Sequence, residues 1–204
     1  PAEVQDILDT WDKYNAAAQT AKEHDIVMTA SYEYTLRAYL AGSSSPWVDE
    51  DDRLNMDGFA DQWINDTLNA VSNGEANPVR LWTDELGAEM QQDSRSLCFF
   101  GPKWYYDYVI PMYDESTYGD WAFIEGPQAY YWGGSFLLAA SDTDNPETIA
   151  DIMNAFTANE DILRSMVEND EAFVNNISVN QWQAENSDYY SGFLGGQNDY
   201  AVLN

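Results

Sequence analysis

Apolar residues recur at three- and four-residue intervals at the start of the chain, at Val4, Ile7, Leu8, Trp11, Tyr14 and Ala18. That spacing predicts an amphipathic helix over 1–23, with Pro1 at its first turn. The unbroken apolar run in DIVMTA (25–30) predicts a strand, and a second helical stripe follows at Phe59, Trp63, Ile64, Leu68 and Val71, closed by Asn73-Gly74. A third helix is expected over 81–92, started through Thr83-Asp84, and a short strand over 95–100. One or two helical turns over 104–112 follow directly on Pro102. Two further strands are expected at 121–125 and 131–140. Asn145-Pro146-Glu147 then opens a helix with Ile149, Ile152, Met153 and Phe156 on one face, DILRSMV continues as a short helix, and the segment around Trp182 forms another. Strands alternating with helices predict an α/β class with a mixed or parallel sheet flanked by helices.

Two Gly-Pro steps, Gly101-Pro102 and Gly126-Pro127, each follow an apolar β-type run and precede a cluster of Tyr and Trp. Glycine permits a tight turn and proline fixes φ, so each step delivers aromatic side chains to the end of a strand. Ligand sites in α/β sheets lie at such ends. Flat amphipathic rings suit sugars, which are apolar on one face and hydroxylated round the rim.

Charge narrows the partners. Eight Lys and Arg stand against 36 Asp and Glu in 204 residues, a formal net charge of −28. Phosphate backbones and anionic membrane surfaces repel such a chain, which argues against nucleic acid. The acidity reads as a solvated surface, or as adaptation to high salt or to a charged cell wall. One cysteine, Cys98, allows no internal disulfide, and its apolar strand makes it a small hydrophobe. The single His24 falls at a helix C-terminus, where its charge complements the dipole. No GxSxG, Walker loop, GxGxxG or HExxH occurs, and neither the acidic run at 49–52 nor SDTDNPET keeps the register of a calcium loop, so no metal or other cofactor is expected. Paired carboxylates such as Asp107 and Glu125 leave a glycosidase as an alternative.

The ordered set IVMTASYEYTLRAY, FFGPKWYYDYVIPM, DWAFIEGPQAYYWGGSFLLAAS and NPETIADIMNAFTANEDIL resembles the extracellular solute-binding proteins of ABC transporters, and within them the carbohydrate-binding group that includes maltose- and oligosaccharide-binding proteins. The resemblance implies a periplasmic-binding-protein-like lobe, with 1–204 as a single C-terminal lobe, the first lobe absent, and 131–167 including the hinge crossover toward it. Surface around Phe136 to Phe156 would then be covered in the family. It implies capture of a mono- or oligosaccharide without chemistry, delivery to a membrane permease, a monomer, and an extracytoplasmic place as a surface lipoprotein or in the periplasm. The ligand-binding residues implied are Trp104, Trp132, Tyr32, Tyr34, Tyr105, Asp107 and Tyr131, with no catalytic or metal-binding residue. In the family the stacking aromatic follows Gly-Pro directly, whereas here Lys103 intervenes before Trp104. A surface glycan-binding module without a transport role is a second alternative.

Overall fold

The computed structural model describes residues 2–56, 58–170 and 172–203. Pro1 and Asp57, the expected starts of two helices, lie outside them. The chain divides into two compact units, Pro1–Trp132 and Gly133–Asn204. It is a mixed, helix-rich α/β protein whose described sheet is small and parallel.

In the first unit the opening helical pattern is realised as two helices, α1 (Ala2–Leu8) and α2 (Trp11–Glu23). The break is chemical: Thr10 adopts an extended backbone and its side chain accepts from the Lys13 N–H, capping α2. Strand β1 (Val27–Thr29) follows, then α3 (Thr35–Ala41), α4 (Gly58–Asn73), α5 (Asp84–Ala88) and strand β2 (Ser96–Cys98). The strands pair in parallel, Val27 with Ser96 and Thr29 with Cys98. Thr29 also bridges in parallel to Ala76, so β1 lies between two extended neighbours. Behind this edge Leu8, Tyr14, Ala18 and Met28 form a core joined by Trp11, Cys98, Phe100 and Ile124. The α3–α4 pair is fixed by the Trp63 indole donating to Thr35 Oγ1 at 3.1 Å and the Tyr39 hydroxyl donating to Asp66 at 2.7 Å.

The strands expected at 121–125 and 131–140 are not formed. Residues 121–125 are held through side chains instead. The Trp121 indole donates to Thr117 Oγ1, Phe123 packs on the Tyr106 ring, Ile124 joins the core, and the Glu125 N–H donates to Gln5 Oε1. The run through 136–138 has no ladder partner, and Phe136 and Leu138 are almost fully exposed. An alternating pattern specifies which face of a strand is apolar, but a strand exists only where a neighbour supplies its hydrogen bonds.

The second unit contains α7 (Pro146–Thr157), α8 (Glu160–Asp170), α9 (Ile177–Ala184) and α10 (Tyr200–Leu203). Leu163, Val167, Val174, Val179 and Tyr200 form its core. Helix α7 contributes no buried residue to it, and its Ile152 and Phe156 are half exposed.

Candidate functional site

Both parallel strands run toward the same end, and the chain leaving each carries aromatic residues. After β1 come Ser31 to Tyr34. After β2 come Phe99, Phe100 and the Gly101-Pro102 turn. The helix that follows the turn is locally underwound to a π-helix at Tyr105–Val109, then continues as α6 (Ile110–Tyr113). Such π segments are rare and concentrate where a side chain must be re-aimed. Gly101 is required by a close approach: a Cβ there would stand 2.6 Å from both Cβ and Cγ of Tyr105.

Four rings converge at this end. Trp82 stacks on Trp104 with centroids 6.2 Å apart and planes 14° apart. Trp132 meets Trp82 edge-on at 6.1 Å and Trp104 edge-on at 5.8 Å. Tyr105 lies beneath, stacked on Trp132 at 5.8 Å and edge-on to Trp82 and Trp104. Offset and edge-to-face contacts at these separations are the favoured geometries of aromatic quadrupoles. Exposure is graded: Trp82 is open to solvent, Trp104 is half-buried, and Trp132 and Tyr105 are buried.

Of the residues expected from the sequence, Trp104, Trp132 and Tyr105 belong to this cluster. Tyr34 supports it from below. It is buried, and its hydroxyl shares a short hydrogen bond with that of Tyr105. Burial pushes the Tyr34 hydroxyl far above the usual tyrosine range, with the neighbouring Tyr105 adding to it, and burial likewise lifts Tyr105 to about 12. Tyr32 is half-buried and donates to Glu33 Oε1 at 3.1 Å. Tyr131 projects into solvent at 71% exposure. Asp107 sits one helical turn beyond Lys103, whose buried ammonium donates to its carboxylate at 3.1 Å.

Two members of the site were not anticipated. Trp82 precedes the N-cap of α5 and has φ +63, a left-handed conformation that costs a residue with a Cβ roughly 1–2 kcal/mol. The surrounding chain imposes it from both sides. Upstream, Glu33 accepts from the Leu81 N–H at 2.8 Å and pairs with Arg80. Downstream, Thr83 Oγ1 donates to the Arg80 carbonyl at 3.0 Å and accepts from the Leu86 N–H. Strain fixed by its surroundings in this way concentrates at functional positions. Arg37, the second, places its guanidinium carbon 4.8 Å from the Trp132 centroid. Its signal was the i, i+3 step from Tyr34, which sets both on one side of α3.

A hollow of about 390 Å³ lies at the opposite, amino-terminal ends of the strands, lined by Val27, Asn77, Glu89 and Arg95. It contains no aromatic side chain, and the aromatic cluster is the better candidate for a ligand site. No family model, curated protein or solved structure matches this chain.

Proposed function

We propose that the chain is a periplasmic-binding-protein-like lobe that contributes one wall of a carbohydrate site, serving as the substrate-binding component of an ABC importer outside the cytoplasm. The observation that carries the reading is the stacked Trp82–Trp104 pair beside Trp132, at the carboxyl ends of two parallel strands. The outer indole faces offer apolar platforms to a sugar ring. Trp82 and Trp104 make the ring contacts, Trp132 forms the floor, and Tyr34 and Tyr105 hold that floor from behind. The exposed apolar residues Phe136, Leu138, Ile152 and Phe156 fit a surface that a further lobe covers, since exposed apolar patches mark interaction sites. Capture between two lobes would favour a closed state for the permease to recognise, without making or breaking a bond. The glycosidase alternative is weakened at Asp107, because its carboxylate is engaged by the Lys103 ammonium.

A single wall supplies part of the contacts, so millimolar affinity is expected. Thermal-shift measurements with mono- and oligosaccharides at tenfold excess over a millimolar Kd should raise the melting temperature by about 3 °C. Trp104→Ala should weaken binding at least about tenfold. A ligand that is an amine or peptide would refute the sugar assignment, and consumption of the sugar would refute transport in favour of hydrolysis.

A further inference from the structure

Arg37 stands out in the electrostatics of the site. In a chain with 36 acidic residues, six of its cationic side chains, Lys13, Arg53, Arg80, Arg95, Lys103 and Arg164, have carboxylate partners. Arg37 has none within 4.0 Å among the described residues, and its guanidinium makes no hydrogen bond there. The nearest acid in the chain, Glu33, just before its helix, is occupied by Arg80, the Leu81 N–H and the Tyr32 hydroxyl. Arg37 lies instead over the Trp132 ring, and close enough to Tyr130 for its charge to oppose the upward push that burial gives that hydroxyl.

A guanidinium lying over an indole uses its π face for the contact and keeps its in-plane N–H groups available. The stack also pre-orders a long side chain, so less rotamer freedom is lost when those donors engage a ligand. Trp132 touches both Trp104 and Trp82, which puts the guanidinium one ring away from the stacking platform. A planar fork of donors at the edge of a sugar platform matches a carboxylate, which it binds through two parallel hydrogen bonds.

We infer that the ligand of this site carries a carboxylate, as in a uronic acid or an oligosaccharide containing one, and that Arg37 binds that group while Trp82 and Trp104 carry the ring. This rests on the sugar-binding reading above and adds the charge class of the sugar. The protein's negative charge does not oppose it at contact distance, because repulsion from exposed charges beyond about 8 Å is screened at physiological salt.

The test pairs sugars that differ only in oxidation at C6: galacturonate against galactose and glucuronate against glucose, with their short oligomers, at one fixed ionic strength. Affinities are measured by titration calorimetry on the full chain, and on Arg37→Gln and Arg37→Lys. The exposed position of Arg37 leaves the fold intact, which unchanged melting temperatures would verify. The acid form should bind about tenfold tighter than its neutral partner. Arg37→Gln should erase that preference, and Arg37→Lys should keep part of it. A preference that is absent, or that survives Arg37→Gln, overturns the assignment while neutral-sugar binding leaves the sugar reading standing. Silence of both sugar classes overturns the two together.

Discussion

The left-handed backbone of Trp82 can be isolated by comparing two replacements at one position. Trp82→Ala and Trp82→Gly both delete the indole, and with it the contacts to Trp104, Tyr105 and Trp132. The ring is 58% exposed, so roughly 100 Å² is covered, and its loss costs each variant about 2 kcal/mol. Their difference reports the backbone alone. Alanine at φ +63 keeps a penalty of about 1–2 kcal/mol. Glycine avoids it but gives up about 0.5–1 kcal/mol of additional chain entropy on folding. Glycine should therefore be the more stable variant by about 0.5–1 kcal/mol. At an ordinary exposed helical site such as Gln62 in α4 the order must be reversed, with alanine ahead. Urea unfolding followed by tryptophan fluorescence is the suitable assay, because all of the eight tryptophans except Trp182 precede residue 133 and report the first unit. The glycine midpoint should lie about 0.3 M higher. An alanine midpoint equal to or above that of glycine would show that position 82 is not left-handed, and would remove the argument that strain presents this ring.

Other expectations follow from the same packing. Gly101→Ala should destabilise the first unit by about 1–3 kcal/mol, because the new Cβ meets the base of the Tyr105 side chain, which cannot swing away without moving the π-helix; an unchanged melting temperature would contradict the close approach. Alkali should destabilise the fold from the pH at which ordinary tyrosines titrate. Tyr105 is lifted from the ordinary 10.0 to about 12, so between those values the unfolded chain has released a proton that the folded one retains. Stability is then full below pH 10 and falls as pH rises toward 12, by about 1.4 kcal/mol per pH unit for this group. Tyr105→Phe should flatten that slope, and a slope unchanged by the substitution would refute the cause. Cys98, lifted from 9.0 to about 12 by desolvation, adds a loss that begins nearer pH 9, which Cys98→Ala should remove.

The sequence by itself determined the elements whose cause is local. Periodicity located α4, α7 and α8 to within a few residues; Thr83 marked the start of α5 through its own capping bond; and the apolar run 25–30 contains β1. It also placed Trp104 and Trp132 beside Gly-Pro turns, where two of the clustered rings stand. What it could not determine depends on partners distant in the chain. Thr10 could cap a helix or sit within one, and the break between α1 and α2 came from the former. Residues 121–125 and 131–140 had strand composition but found no edge to pair with. Tyr34 and Tyr105 were both legible as site aromatics, yet only packing decided that they bury their rings and join hydroxyls beneath the site. Trp82 looked like the residue before a helix. Its exposure, its left-handed φ and its stack on Trp104 arise from Glu33, 49 positions earlier, gripping the chain beside it. A side chain's rotamer and exposure are fixed by what packs against it, and for a site assembled from β1, α5 and the Gly-Pro loops those neighbours meet only in the tertiary fold.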